Sequence, residues 1–308
     1  MKRKLAFAAA GLCFAAAVVV IAAAMGLFDR GMRPDENGMY TAHGHWVEAL
    51  DGPDVDSAVR FGEKLEKLKA DLLTEENRAF YAIVPDKGYY LTGEVRPAAD
   101  YQALFSTVDS QLMGSGIEKI DLTGALALED YYFTDSHWRQ ERLGGVVNAL
   151  GSAMGFSVDM DGFDPVTVEG FIGAYGKYGA DKPEELTYMV SDATVAAVCD
   201  NYQYPDSTAV YDLARLSTDV PYDVFLSGAS PLITIESPLA ATDKELVVFR
   251  DSYASSLVPL LLGQYRKVTL VDIRYMVSGL VPQYVEFNDQ DVLFLYSTYV
   301  VNQSAMLR

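Results

Sequence analysis

"KELVVFRDSYASSLVPLLLGQYRKVTLVDIRYM", residues 244–276, decides the fold. Leu246 to Phe249 run without a polar break and stop at Arg250-Asp251-Ser252. A strand that is apolar in consecutive positions is covered on both faces, as in a parallel sheet. "SYASSLVPLLLG" then reads as a helix and "KVTLVDI" as a returning strand, which makes one βαβ unit. Working outward, "AFYAIVP" (79–85) and "QDVLFLYST" (290–298) are further buried strands, and "EKIDL" (118–122) is a short one. "PDKG" after the first marks a turn. Helices are expected in "DSAVRFGEKLEKLKADLLTEENRAF", with Val59, Leu65, Leu68 and Leu72 on one side, and in "DYQALFSTVDSQLMGSG" (100–116). A third, "WRQERLGGVVNALGSAMG", places Trp138, Val146, Leu150 and Ala153 on one face. Apolar strands alternating with helices argue for an α/β domain with a mostly parallel sheet and helices on both faces. Residues 156–240 break into short β-like pieces with many turn residues and read as a β-rich insertion. Residues 29 to about 55 are polar and turn-rich and read as a stalk, followed by the leading helix up to residue 75.

The composition narrows the partners. The chain has 308 residues, half of them apolar, and a formal net charge of −19. That core-forming content excludes general disorder, and a negative field of this size repels polyanions, so nucleic acid is not an expected ligand. "MKRK" opens the chain as a positive tip, and Leu5 to Phe28 carries no charge. This run has about the 20 residues that cross a bilayer. Charge asymmetry keeps the tip inside and the bulk of the chain extracytoplasmic. Residues 1–28 are therefore expected to be an uncleaved signal-anchor, with "AAAMG" (22–26) offering a cleaved signal as the alternative. Of the two cysteines, Cys13 lies in that run and Cys199 in the folded part, so neither an internal disulfide nor a cysteine metal site is expected.

Two stretches carry possible chemistry. A serine on the turn after a buried strand lies at the sheet rim, where ligands bind in open α/β sheets. Ser252 occupies such a turn, with its N–H at a helix start where negative charge is stabilised. The alternative reading is that Asp251 or Ser252 merely caps the helix. "TDSHWRQ" (134–140) holds one of only three histidines. Thr134, Asp135 and Ser136 are all good N-cap residues for the helix expected to follow. In an extended segment, however, Asp135 and His137 share a face, and a carboxylate there would fix the imidazole tautomer. Serine needs such a base, being a poor nucleophile by itself at neutral pH. "HGHW" (43–46) reads as stalk rather than as a metal pair with Asp135 and His137, and no metal or cofactor is expected.

Taken together, "YYFTDSHW", "VVFRDSYASSLVPLL" and "VTLVDIRYM", with "AIVPDKGYYL", "KIDL" and "DVLFLYST", resemble the DHHW-type proteins of the SGNH-hydrolase superfamily. Their relatives are the AlgX/AlgJ-type O-acetyltransferases of exopolysaccharide biosynthesis. The resemblance covers roughly 76–308, which delimits an SGNH-hydrolase-like domain with the insertion at about 156–240. It implies a flavodoxin-like, SGNH-type fold, with Ser252 as nucleophile, His137 as base and Asp135 as its orienting acid. Ser136 stands for the middle histidine of D-H-H-W, and Arg250-Asp251-Ser252 for Gly-Asp-Ser. Ser252, Arg250 and Arg274 are the candidates for oxyanion or substrate binding, with Asn302 a nearby polar candidate. The implied activity is acetyl transfer or ester hydrolysis on an envelope or exopolysaccharide glycan. The implied partner is a multi-pass membrane acyltransferase. The alternative is a non-catalytic glycan-binding or scaffold subunit of the same machinery.

Overall fold

A computed structural model of the protein describes residues 31–50 and 52–308. The expected anchor, residues 1–28, lies outside the described residues. Among the described residues no helix is long and apolar enough to cross a membrane. The described chain first forms a hairpin of β1 (Met39–Ala42) and β2 (His45–Glu48), turned at His43 and Gly44 with φ of 48° and 87°. Positive φ at both central residues matches the right-handed twist of the strands. Helix α1 (Val55–Leu72) begins at Asp54, whose carboxylate accepts the Ser57 N–H. It buries Phe61, Leu65 and Leu68, while Val59 is only half-buried. Then come β3 (Arg78–Val84), α2 (Tyr101–Gln111), β4 (Ile117–Lys119) and α3 (Gly144–Met154). β5 (Asp164–Phe171) and β6 (Glu184–Val190) form an antiparallel pair of their own, followed by the short α4 (Asp192–Ala196). The chain continues with β7 (Val198–Asn201), β8 (Leu232–Glu236), β9 (Glu245–Arg250), α5 (Ala254–Leu257), β10 (Lys267–Val271), β11 (Asp291–Ser297) and α6 (Thr298–Asn302).

Seven strands make the central sheet in the order β4–β3–β11–β9–β10–β8–β7. From β4 to β10 every neighbouring pair is parallel; β8 and β7 extend the sheet antiparallel. The expected mixed α/β architecture with a mostly parallel sheet is present. Along β3 the pleat sends Phe80, Ala82 and Val84 to one core and Ala79, Tyr81 and Ile83 to the other. The first core is covered by α3 and by residues 257–262, the second by α1, α2 and α6. Burial on both faces is why these strands read as unbroken apolar runs. Three adjoining parallel strands, β3, β9 and β11, end together at Val84, Arg250 and Ser297, and the loops after them border one cavity.

Three expectations need correction. Residues 31–50 are not a stalk: Tyr40, Ala42 and Val47 pack with Leu91, Val95 and Leu128 in a small core of their own. The segment 156–240 is not wholly an insertion, because β7 and β8 belong to the central sheet, paired through Ile233 and Ile235. The helix expected from Trp138 starts only at Gly144; Trp138 instead forms a β-bridge with Tyr131 and is fully buried.

Phe249 is fully buried on β9 and stacks on Phe294 of β11 at 5.1 Å. Replacing such a ring by alanine leaves a cavity in the sheet's central layer. Phe249→Ala is expected to lower the unfolding free energy by about 3–5 kcal/mol, read from urea denaturation followed by circular dichroism.

Candidate active site

The turn after β9 is held by Asp251. Its carboxylate is buried and accepts the Tyr253 N–H at 3.1 Å with one oxygen and the Ser297 N–H at 2.7 Å with the other. The turn is thereby pinned to the end of β11, and Ser252 is left half-buried at the rim just before α5. The Ser252 Oγ lies 2.7 Å from Nε2 of His137, and Nδ1 of His137 lies 2.6 Å from Oδ1 of Asp135. The three side chains meet, although 115 positions separate His137 from Ser252.

Residues 133–137 form a bend rather than a helix start. Oδ1 of Asp135 accepts the His137 backbone N–H at 3.0 Å as well as its ring nitrogen, so one oxygen sets both the main chain and the ring. This is the local side-chain bond that lets aspartate compete with helix formation. Oδ2 accepts the Ala174 N–H at 2.7 Å. The approach is so close that a Cβ on Gly173 would stand 2.3 Å from the Asp135 Cβ, which is why glycine is required there. Burial pushes the Asp135 pKa upward, but the His137 charge, its hydrogen bond and the two backbone N–H groups prevail and hold it at about 2. With Nδ1–H directed at that carboxylate, Nε2 is free to accept from the serine.

The bend and the Ser252 turn are tied directly to each other. Trp138 Nε1–H donates to Ser256 Oγ at 2.9 Å, Gln140 Nε2 donates to the Ser256 carbonyl at 2.6 Å, and the Tyr253 hydroxyl donates to the Ser136 carbonyl at 2.8 Å. The His137 ring lies flat on Tyr222 with centroids 3.8 Å apart and touches Tyr253 on another side. Nothing in the sequence near Tyr222 or Gly173 signals these roles, because both reach the site only through the tertiary fold.

A cavity of about 510 Å³ opens beside Ser252, bordered by Val47, Lys87, Ser136, Tyr175, Tyr253 and Arg274 among others. Lys87, from the "PDKG" turn, is buried and donates to the carbonyls of Trp46 at 2.5 Å and Tyr132 at 2.9 Å. Its ammonium also stands 4.9 Å from the centre of the Tyr175 ring. Burial brings its pKa down to about 7 against the pull of Asp135, Glu184 and Asp86. Arg274 borders the cavity while gripping the buried Asp272 through two hydrogen bonds of 2.9 and 2.6 Å. Arg250 does not reach the cavity, contrary to expectation. Strand alternation puts it on the side of Leu246 and Val248, where it is fully buried and donates to Ser255 Oγ at 2.9 Å. Asn302 is spent on Asp54 and Gly52 and does not border the cavity. His43 faces Glu94 at 3.0 Å, and His45 is buried beside the Tyr132 carbonyl at 3.3 Å. Among the described residues no group of three His, Cys, Asp or Glu side chains is placed to hold a metal ion.

Asp135→Asn tests the carboxylate. An amide cannot accept at both positions, so its NH₂ would face the Ala174 N–H, and the ring would lose its charged partner. Turnover of any reaction run by Ser252 is expected to fall at least about a hundredfold. A carboxylate with a pKa lower in the folded than in the unfolded chain stabilises the fold above the unfolded value and loses that contribution as pH falls through the folded one. For Asp135 the window runs from the ordinary 3.8 down to about 2. The difference in unfolding free energy between wild type and Asp135→Asn is therefore expected to shrink by about 1 kcal/mol between pH 5 and pH 3, measured by urea titration at each pH. A constant difference would mean that Asp135 is not held ionised by its neighbours.

No protein-family model matches the sequence, and neither does any curated protein. Solved structures do. A DHHW family protein from Eubacterium siraeum DSM 15702 superposes with a TM-score of 0.70 at 19% identity, over 87% of this chain and 93% of that one. Bacillus cereus PatB1 superposes with a TM-score of 0.67 at 17% identity, over 85% and 96%. The same PatB1 with a sulfonyl adduct gives 0.64 at 16%, over 85% and 95%. At these identities the likeness is one of fold, and at that level the DHHW-type resemblance read in the sequence holds.

Proposed function

We propose that the chain is an acyl (acetyl) transferase or esterase acting on a cell-envelope or exopolysaccharide glycan. The observation that carries the reading is the unbroken run from Ser252 Oγ through His137 to Asp135, at 2.7 and 2.6 Å, beside an open cavity. The parallel sheet, with its loops gathered at the strand ends, supports a flavodoxin-like arrangement of SGNH type. The charge-free run of residues 5–28 behind a basic tip supports a signal-anchor that keeps the domain outside the cytoplasm. The resemblance to the polysaccharide acetylation proteins supports a multi-pass membrane acyltransferase as partner and supplier of acetyl groups.

In this reading the Ser252 oxygen attacks the acetyl carbonyl carbon while its proton passes to Nε2 of His137. The imidazolium that forms is stabilised by Asp135, which stays ionised throughout. The Ser252 N–H helps to hold the oxyanion. Collapse of the tetrahedral intermediate expels the donor's oxygen or sulfur, which takes the proton from Nε2, and acetyl-Ser252 remains. A sugar hydroxyl then attacks that ester with His137 again accepting the proton, which finally returns to the Ser252 oxygen. Water in place of the sugar gives hydrolysis.

An organosulfonyl fluoride tests the reading, since it labels a serine activated in this way far faster than an ordinary one. One sulfonyl group per chain is expected on a peptide containing Ser252, detected by mass spectrometry, together with loss of 4-nitrophenyl acetate turnover. Ser252→Ala is expected to take no label and to lose turnover, with a melting temperature within a few degrees of wild type, because a small rim hydroxyl adds little stability. An unlabelled wild type without esterase or transferase activity would assign the chain instead to a glycan-binding or scaffold role.

A further inference from the structure

A second cleft, of about 640 Å³, lies behind the wall of the Ser252 cavity. Its border includes Thr41, Trp46, Phe133, Thr134, Asp181 and Lys182. Three stretches of chain pass from one hollow to the other. Trp46 faces the cleft and Val47 the cavity; Thr134 faces the cleft and Ser136 the cavity; Gly179 faces the cleft and Tyr178 the cavity. Thr134 and Ser136 are two residues apart, which limits the separation of their Cα atoms to about 7 Å. The two hollows are therefore divided only by a thin wall of main chain.

The cleft is built rather than incidental. The Trp46 N–H donates to the Phe133 carbonyl at 2.8 Å, which locks its two aromatic residues to each other. The Phe133 ring is 39% exposed, yet its inner side leans on the buried His45 at 4.4 Å. Each ring is faced by a glycine. A Cβ on Gly44 would lie 3.5 Å from the Phe133 ring, and one on Gly179 would lie 3.6 Å from the Trp46 ring. Both glycines have positive φ, 87° and 105°, a conformation that keeps a side chain out of these two places. Two aromatic residues on one border, Phe133 exposed and Trp46 half-buried against Met39, Tyr175 and Ala180, with exposed Thr41, His43, Asp181 and Lys182 around them, match the chemistry of a sugar. The C–H face of a pyranose is apolar and slightly positive, as the negative face of an aromatic ring requires, and its hydroxyls need donors and acceptors at the edge. Asp181 and Lys182 give the rim both signs, and the chain as a whole is strongly negative, so an uncharged sugar is preferred over a polyanion.

We infer that the cleft bordered by Trp46, Phe133, Asp181 and Lys182 is a subsite for a neutral pyranose of the acceptor glycan, one that presents the neighbouring sugar to Ser252. The inference rests on the glycan acyl-transfer reading, and the experiment separates the two. The chain has two tryptophans, and Trp138 is fully buried, so an emission change on adding sugar reports on Trp46. The Ser252→Ala protein is titrated with the β-1,4-linked glucose tetramer and with its N-acetylglucosamine counterpart. A saturable change with at least one of them is expected, with Phe133→Ala raising its Kd at least tenfold. A flat titration with both at millimolar concentration overturns the subsite. So does acetyl transfer by wild type onto either tetramer with an acceptor KM that Phe133→Ala leaves unchanged. A saturable Trp46 response in a chain whose Ser252 forms no acyl or sulfonyl adduct sinks the acyl-transfer reading and leaves the subsite standing. If Phe133→Ala folds poorly, the titration of the otherwise unaltered chain still decides.

Discussion

A carboxylate removed from water must find donors or give up its charge, and Asp135 is buried and ionised. The rest of the site depends on how that demand is met. Its oxygens take up the His137 main chain, the His137 ring and the Ala174 N–H. The first contact bends the chain, the second fixes the tautomer, and the third draws in the 171–180 segment, with no room for a side chain at Gly173. Lys87 is buried nearby and is satisfied by the two carbonyls of Trp46 and Tyr132. The β1–β2 hairpin is thereby joined to the same construction. A second buried carboxylate, Asp251, does the equivalent work for the serine, since its two oxygens join the Ser252 turn to β11. Two acidic groups therefore hold the two halves of the site, and Trp138, Gln140 and Tyr253 fasten the halves together.

Much of this architecture was legible because it is written in consecutive residues. β3, β9 and β11 are apolar on both faces, and the βαβ unit around Ser252 lies within thirty-three residues. Asp135, His137 and Ser252 each stand on a turn whose local chemistry singled them out, the resemblance joined them into one site, and the structure brings their side chains within hydrogen-bond distance. The failures are physical as well. Asp135 looked like a helix cap because aspartate bonds main-chain N–H groups in either setting. Here it bonds to His137 two residues on, and the helix waits until Gly144. β1 and β2 have four residues each, too few to establish a period, so the packing of Tyr40 and Val47 was hidden among turn residues. β7 and β8 are similarly short; β7 pairs with β8, and β10, which joins β8 to the sheet, follows later in the chain.

Arg250 is instructive in a different way. Counting by twos from Leu246 places it on an inner face, away from the rim that Asp251 and Ser252 reach. Its position was therefore readable from strand alternation once β9 was accepted. Burying a guanidinium there is costly, and its Nε has no partner among the described residues, while Ser255 Oγ takes one of its other nitrogens. Tyr222 and Gly173 carry no such local signature. Their contacts with His137 and Asp135 exist only after distant segments have come together.

The bond from the Ser297 N–H to Asp251 also has a bearing on when the molecule becomes competent. β11 is the last strand of the chain and sits between β3 and β9. Until it is inserted, the sheet has a gap at its centre, and one oxygen of Asp251 lacks its donor. A ribosome makes the chain from the other end, so the serine emerges some forty residues before the strand that sets it. The Ser297 donor that pins the Ser252 turn is therefore made after every other residue that hydrogen-bonds to Asp135, His137 or Asp251.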